Sequence, residues 1–339
     1  MDLIVEIGNS HDGSLGIAMG LVDMAANTGA KTVKFQMHLY EYESSEDEPF
    51  RVDFSVQDES RRDYWQRVNF SPEEWIKLHA YVINKNLEFL CTPFSIEAAQ
   101  FLESQSLVRR WKVGSGDATN FPLIDFLAKT NKPLLISTGL ASFSEIELLV
   151  ARLEKLDAIS RTTLLHCVSM YPTPLDKSGL NLIEDLRGLG CRVGLSDHSG
   201  KISTSLKGIS MGIDTLEVHL TPHRLFFGPD SSSSLLPDEI RQVYDICSDW
   251  EFIEKNQSSK EELFRLVGNS RKIFRKGVYW KRDLKAGTII EQDDLLFLKP
   301  VSNIDAIDFE KLIGAKLLSP VTAKSPVDSL SVSTEHEES

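Results

Sequence analysis

Two histidines, each at the end of a short apolar run, are the residues whose type and spacing first suggest chemistry. His198 follows the letters GLSD, His219 follows LEV, and Asp230 comes soon after in a Gly-Pro loop. If the two runs are strands of one sheet, both imidazoles point into one pocket, where they suit a divalent first-row metal ion. The alternative is a pair of structural histidines satisfied by hydrogen bonds. This pair alone leaves both interpretations open, so the surrounding elements must decide.

Short apolar runs alternate with amphipathic helical stretches along most of the chain. Most of the apolar runs lack polar alternation, which is typical of parallel strands buried on both faces. The predicted strands are 3–8, 32–36, 88–93, 110–114, 133–138, 162–167, 192–196 and 215–220. The predicted helices are 15–28, 75–84, 95–104, 122–129, 142–156 and 204–211, with capping patterns at Ser71 and Ser142.

This alternation predicts the α/β class and a (β/α)8 TIM barrel, followed by a small β-rich C-terminal domain. A doubly wound open sheet is the alternative, but no GxGxxG motif follows any predicted strand. The predicted divisions are a barrel at 1–260, a linker at 261–274, the small domain at 275–330 and a disordered tail at 331–339. A long acid-rich insertion, 37–69, follows the second strand and is expected to be a lid, an interface or a solvated loop.

The composition limits the classes of partner that the chain is expected to bind. Its 339 residues carry a formal net charge of −13, which argues against nucleic-acid binding but not against a small anionic substrate. The four cysteines are widely spaced and form no CxxC motif. No stretch reads as a signal peptide or a membrane span. A cytoplasmic protein that contacts neither nucleic acid nor membrane is therefore expected.

Polar residues stand at the ends of all eight predicted strands, where a barrel concentrates its chemistry. Buried charges cost several kcal/mol unless they are paired or used, so stability alone is a poor explanation for the set. The set comprises Glu6, Lys34, Gln36, Thr92, Lys112, Ser115, Asp117, Ser137, Tyr171, Ser196, His198, His219 and Asp230. The two lysines and the hydroxyls predict a pocket for a phosphorylated anion. Either lysine could instead form a Schiff base, and Glu6 suits an acid/base or orienting role.

Taken in order, these residues resemble the sialic acid synthase family. The matching segments are EIG with His11, KFQ at 34–36, TPF at 92–94, KVGSGD at 112–117, STG at 137–139, HC with Tyr171-Pro172, GLSDH at 194–198, Glu217 with His219, GPD at 228–230 and KAG at 285–287. The resemblance covers essentially residues 1–330. It implies a TIM barrel joined to a β-clip-like SAF (antifreeze-like) domain, usually in a homodimer whose swapped lids cover the partner's active site.

The resemblance also implies a reaction and roles. The family condenses phosphoenolpyruvate with an open-chain N-acylated amino sugar and water, releases phosphate, and requires a divalent cation, Mn²⁺ or Mg²⁺. By this resemblance His198 and His219 bind the metal, and Glu6 positions or activates water. Lys34, Thr92, Lys112, Ser115, Ser137 and Ser196 hold the phosphate and carboxylate. Gln36, Asp117, Tyr171, Asp230 and, in the lid, Lys299 face or support the sugar.

The chain departs from the family pattern mainly at the sugar-facing positions. The family usually has glutamate at Asp117, asparagine at Ser169, histidine at Ser231 and arginine at Lys299, and it has asparagine at Ser10 as well. These changes predict a divergent acceptor, such as another acylated or deoxy amino sugar or a non-acylated aldose. Two alternatives remain: an aldolase acting on a different aldose or a sugar phosphate, with or without a Schiff base, and an inactive paralogue that serves as a binding partner.

Overall fold

The computed structural model describes residues 1–51, 54, 55 and 57–333, and the chain divides into two compact units, Met1–Ile253 and Glu254–Ser339. The first unit contains all eight predicted strands. They are β1 Asp2–Glu6, β2 Thr32–Met37, β3 Glu88–Pro93, β4 Trp111–Val113, β5 Leu134–Ser137, β6 Thr162–His166, β7 Arg192–Asp197 and β8 Thr215–His219. Every pairing is parallel, and the pairs run β3-β2-β1-β8-β7-β6-β5-β4 with β3 lying beside β4. The predicted (β/α)8 barrel is confirmed.

Helices connect the strands of this sheet and also follow β8, and the last two of them belong to the second unit. In chain order they are α1 Leu15–Ala26, α2 Tyr40–Glu43, α3 Arg61–Val68, α4 Pro72–Asn84, α5 Ile96–Ser104, α6 Phe121–Lys129, α7 Phe143–Lys155, α8 Leu182–Arg187, α9 Ile202–Ser210, α10 Pro237–Lys255, α11 Lys260–Leu266 and α12 Gly268–Phe274. The capping patterns form as predicted: Ser71 and Ser142 each accept a hydrogen bond from the third helical residue. None of the described helices is long and apolar enough to cross a membrane.

The interior of the barrel is layered along the strands. Ile4, Leu90, Leu135 and Leu165, from four different strands, form a buried apolar cluster. Side chains two residues apart on a strand share a face. The next inward positions on three of these strands are therefore Glu6, Thr92 and Ser137. A polar layer thus follows the apolar one toward the carboxyl ends of the strands.

The insertion after β2 has a small core of its own. Tyr40, Tyr64, Trp65 and Val68 are buried together, with Phe50 and Phe54 packed against them. Arg67 ties the segment down because its guanidinium donates to Asp58 at 2.7 and 2.8 Å and to the Asp12 carboxylate at 2.7 Å. The described part of the 37–69 segment is therefore packed against the protein rather than a solvated excursion.

The second unit contains an antiparallel pair, β9 Gly277–Trp280 and β10 Leu295–Leu298. Val278, Trp280, Ile290, Leu317 and Val327 form its core. The predicted linker at 261–274 consists mainly of the helices α11 and α12, which the sequence interpretation did not foresee. The predicted tail begins within this unit, because Val332 is buried and bridges to Leu317. Residues 334–339 of that tail lie outside the described residues.

Candidate active site

A cavity of about 660 Å³ opens at the carboxyl ends of the barrel strands. All of the site residues predicted in the barrel line it: Glu6, Lys34, Gln36, Thr92, Lys112, Ser115, Asp117, Ser137, Tyr171, Ser196, His198, His219 and Asp230. Lys299 belongs to the second unit, where its Nζ lies 5.4 Å from the centroid of the Phe274 ring. The roles of these residues remain predictions.

A buried network of two lysines and two carboxylates forms the floor of the cavity. Lys34 Nζ lies 2.9 Å from Glu6 Oε2 and 3.7 Å from Glu217 Oε2, and Lys112 Nζ lies 3.9 Å from Glu217 Oε1. Lys34 also donates to the hydroxyl of Thr92. The charges balance, which lowers the cost of burying four ionisable groups together.

The electrostatics of the two lysines differ. Burial alone lowers the pKa of Lys34, but the Glu217 and Glu6 carboxylates outweigh it and raise that pKa overall. Burial lowers the pKa of Lys112, and Glu217 offsets only part of the effect. The Lys112 ammonium donates at 2.8 Å to the Ser137 hydroxyl. Lys34 is thus held as a cation, while Lys112 is the lysine whose charge burial destabilises.

The two predicted metal-binding histidines lie side by side, with ring centroids 5.3 Å apart. His198 Nδ1 donates to the Val168 carbonyl at 3.0 Å, which leaves Nε2 as the acceptor facing the cavity. Tyr171 donates its hydroxyl to that nitrogen at 3.2 Å. Burial, assisted by the neighbouring His219, lowers the pKa of His198 to about 3, so its imidazole is neutral.

This donor set fits a two-histidine metal site with open positions. A metal-binding histidine ordinarily donates its second ring nitrogen to a carbonyl or carboxylate, as His198 does. Asp230 Oδ2 lies 3.8 Å from His219 Nδ1. Within the described part of the chain, no group of three or more His, Cys, Asp or Glu residues is placed to hold a metal. Further ligands would therefore come from substrate or water.

Asp117 and Ser115 mark another part of the cavity wall. Burial raises the pKa of Asp117, against an opposing hydrogen bond from Asn120, and Glu43 adds to the increase. The hydroxyls of Ser115 and Ser169 lie 2.9 Å apart. Ser169 is one of the positions at which the chain departs from the family pattern, so the departure faces the cavity.

The insertion supplies lining residues that the sequence analysis did not assign. They include His38, Glu43, Glu48, Arg51, Arg61, Tyr64 and Trp65. The guanidinium of Arg51 donates to Asp230 at 2.7 Å and lies 3.9 Å from the centroid of the Tyr171 ring. No periodicity marks loop residues of this kind, because their position depends on the tertiary contacts of the insertion.

Glu217 was also missed as a site residue, although its signal is present in the sequence. It lies two residues before His219 on β8, so both side chains share the inner face of the barrel. It is buried and accepts a hydrogen bond from Ser196 at 2.8 Å. An acidic residue on a buried strand, two residues from a predicted metal ligand, therefore indicates a functional site.

Comparison with known proteins finds related sequences over most of this chain. The family described as the NeuB family matches residues 21–259, and the SAF domain matches residues 275–328. An N,N'-diacetyllegionaminic acid synthase of Campylobacter jejuni is 31% identical over 324 residues, covering 92% of this chain and 94% of that protein.

Solved structures agree as well. A crystal structure of the N-acetylneuraminic acid synthetase of Leptospira borgpetersenii, in complex with citrate, matches with a TM-score of 0.67 and 28% identity, covering 80% of this chain and 92% of that one. The spore coat polysaccharide biosynthesis protein SpsE of Bacillus subtilis matches with a TM-score of 0.64 and 25% identity, covering 98% and 95%. The predictions of a sialic-acid-synthase relative with a SAF domain, and of a phosphoenolpyruvate-dependent carbohydrate synthase of the transferase class, are confirmed. The chain belongs to the NeuB family.

Proposed function

We propose that the chain condenses phosphoenolpyruvate with the open-chain form of an acylated amino sugar and water, giving a nine-carbon 2-keto-3-deoxy acid and phosphate. One observation carries the proposal. A buried pair of lysines with hydroxyl neighbours lies in the same cavity as a pair of neighbouring imidazoles. The first group suits a small anion that carries phosphate and carboxylate, and the second suits a polarised carbonyl oxygen.

The anion-binding group has defined members. Lys34 and Lys112 would contact the phosphate and carboxylate of phosphoenolpyruvate, with Thr92, Ser115, Ser137 and Ser196 as hydroxyl donors. Both lysines are buried and bonded to hydroxyls at 3.3 and 2.8 Å, so little side-chain freedom remains to be lost on binding. The acidic chain as a whole repels anions, so binding of phosphoenolpyruvate would rest on direct contact with these two ammonium groups and their hydroxyl neighbours.

The metal would be held by His198 and His219 as a divalent cation, Mn²⁺ or Mg²⁺. When bound, such a cation polarises the aldehyde oxygen of the acceptor. The choice between the two metals stays a prediction. Imidazole ligands suit manganese better than magnesium, because magnesium strongly prefers oxygen.

The bonds that change can be followed through the residues. C3 of phosphoenolpyruvate forms the new bond to the aldehyde carbon, whose oxygen becomes a hydroxyl. Water adds at C2, Glu6 takes one of its protons, and that proton is then passed to the former aldehyde oxygen, which completes the hydroxyl and restores the carboxylate. The tetrahedral centre then collapses to the ketone, and phosphate leaves with the bridging oxygen and the remaining proton. Glu6 is suited to this role because it is fully buried and is held by the Gln36 amide at 2.6 Å.

The acceptor is the finer part of the proposal. We place it among acylated or deoxy amino hexoses other than N-acetylmannosamine, because Asp117 and Ser169 both line the cavity and both depart from the usual pattern. Similarity to a synthase of N,N'-diacetyllegionaminic acid supports a hexose that carries two acylated amino groups. Asp117, Tyr171, Asp230 and Lys299 are the residues proposed to face or support it.

The test is phosphate release from phosphoenolpyruvate with Mn²⁺ and a panel of acylated, deoxy and unmodified hexoses, with the keto acid identified by mass. We expect the highest kcat/KM with a di-N-acylated sugar. We also expect activity to be lost on chelation and restored by Mn²⁺. Best turnover of N-acetylmannosamine would contradict the acceptor, and no release with any sugar would contradict the condensation. His198→Gln should be inactive, with His79→Gln, outside the cavity lining, as the matched control.

Three further expectations stay predictions with tests of their own. Borohydride should trap no adduct at Lys34, because Lys34 is engaged as a cation by two carboxylates. Light scattering coupled to size exclusion should report a dimer, as expected for a swapped lid. Fractionation of cells should place the protein in the cytoplasm.

A further inference from the structure

A chain of hydrogen bonds leads from the insertion to Glu6. Glu43 Oε1 lies 2.7 Å from His38 Nδ1, and His38 Nε2 lies 3.2 Å from Gln36 Oε1. The amide nitrogen of Gln36 donates to Glu6 Oε1 at 2.6 Å. All four side chains line the cavity. Glu43 on α2 is thereby connected, through His38 and through Gln36 on β2, to Glu6, the proposed acid/base group.

Counting donors along this chain determines the protonation of His38. Glu6 as a carboxylate only accepts, so the NH2 group of Gln36 must face it and the Gln36 oxygen must face His38. Asn9 Nδ2 also donates to that oxygen at 3.3 Å, which supports the same amide orientation. His38 Nε2 must therefore donate. His38 Nδ1 faces a second carboxylate, that of Glu43, so it must donate as well, and a ring that donates from both nitrogens is an imidazolium.

The surroundings of His38 suit a cation. Its ring is stacked between Trp65, at 3.6 Å between centroids and 17° between planes, and Phe94, at 4.2 Å and 15°. Aromatic faces attract a desolvated cation, and its side chain is only 4% exposed.

The charges around His38 also favour a cation on balance. Glu43 contacts the ring directly, and Asp117 lies close enough for His38 to affect it electrostatically. On the opposing side, Arg61 stacks over Trp65 at 4.4 Å but is paired with Glu48. His11 is neutral, since burial lowers its pKa to about 3.

We propose that His38 is a positioning residue: an imidazolium, held by Glu43 and stacked between Trp65 and Phe94, that fixes the Gln36 amide so that it donates to Glu6. The catalytic part rests on the proposed function, in which Glu6 handles the water proton. The relay keeps one oxygen of Glu6 bound to Gln36 and the other toward Lys34. Because Glu43 and Trp65 come from the insertion, folding of that segment completes the surroundings of Glu6.

The protonation can be tested without turnover. In the full-length protein labelled with ¹⁵N at histidine, His38 is assigned by its disappearance in His38→Phe. At pH 7 we expect both of its ring nitrogens to show protonated-type signals, with no pyridine-type nitrogen. A pyridine-type signal from His38 would overturn the imidazolium and with it the relay. This readout stands whether or not the sugar-condensing activity is found.

The positioning role is tested by kinetics on folded variants. His38→Phe keeps the stacking but removes both donors, and it should lower kcat by up to about 100-fold while the KM for phosphoenolpyruvate changes less than twofold. Glu43→Gln keeps an acceptor for His38 Nδ1 but removes the charge, so it should lower kcat by less than His38→Phe does. His79→Phe is the matched control, because His79 is a partly buried histidine, with its ring 5.5 Å from that of Phe89, and is not among the residues that line the cavity. Equal kcat values for His38→Phe and the control would overturn the role.

Discussion

The charge network at the cavity floor gives a sharp prediction about Lys34. The side chains of Lys34 and Glu6 are 4% and 0% exposed, and Lys34 also faces Glu217 at 3.7 Å. Lys34→Met leaves two buried carboxylates with one lysine. Removing one partner of a buried ion pair typically costs about 3–5 kcal/mol, since an uncompensated charge stays inside the protein. We expect Lys34→Met to lose stability on that scale.

The surplus charge, rather than the lost side chain, should account for much of this loss. Glu6→Gln removes one negative charge and keeps an oxygen for the Gln36 amide. In the double variant the network is neutral again, with Lys112 and Glu217 as the remaining pair. Adding Glu6→Gln to Lys34→Met should therefore restore part of the lost stability, with a coupling free energy of about 0.5–3 kcal/mol, the range for residues in contact.

Urea unfolding of the wild type, both single variants and the double variant gives the coupling free energy directly. Lys311→Met is the matched control, because its ion pair with Asp308 is even shorter, at 2.6 Å, but the lysine side chain is 79% exposed. That control should change stability by less than about 1 kcal/mol. A Lys34→Met loss no larger than the control, or strictly additive single effects, would refute the reasoning.

Three other predictions concern the reaction, pH and packing. Glu6→Gln should lower kcat by about 10²- to 10⁴-fold, with phosphoenolpyruvate binding kept in a calorimetric titration; unchanged kcat would exclude Glu6 as the base. The hydrogen bonds from Arg67 lower the pKa of Asp58. The stability advantage of the wild type over Arg67→Met should therefore be full at pH 7 and shrink as the pH falls below about 4, and an advantage independent of pH in melting curves would contradict this. Gly139→Ala would place a methyl group 2.6 Å from a sulfur atom and should destabilise by about 1–3 kcal/mol, whereas Gly20→Ala, with open space on α1, should not; equal melting temperatures would contradict the packing argument.

The barrel was predictable because its signals are local. Strands such as Thr32–Met37 and Glu88–Pro93 are runs of buried residues that cannot be stable outside a covered parallel sheet. Capping at Ser71 and Ser142 fixed two helix starts. The helix Pro237–Lys255 was missed although Ile240, Val243 and Cys247 bury one face at helical spacing. At six residues, Leu182–Arg187 is too short for its period to be read.

The residues of the candidate site also fall into two groups, those that the sequence predicts and those that it does not. Residues on strands, such as Lys34 and His219, reach the cavity by the alternation of side chains, which can be read from the sequence. Arg51 and His38 reach it through contacts with Asp230 and Trp65 that no local pattern encodes. This part of the cavity wall thus depends on how the insertion packs, and only the structure reveals it.

The most direct test of the account is the origin of the oxygen in the released phosphate. The reaction is run in H₂¹⁸O with phosphoenolpyruvate, Mn²⁺ and the preferred sugar, and the phosphate is analysed by mass. Because water is proposed to add at C2 and the C–O bond to break, the phosphate should carry no ¹⁸O. Labelled phosphate would mean that water attacks phosphorus, and it would contradict the condensation proposed for this cavity.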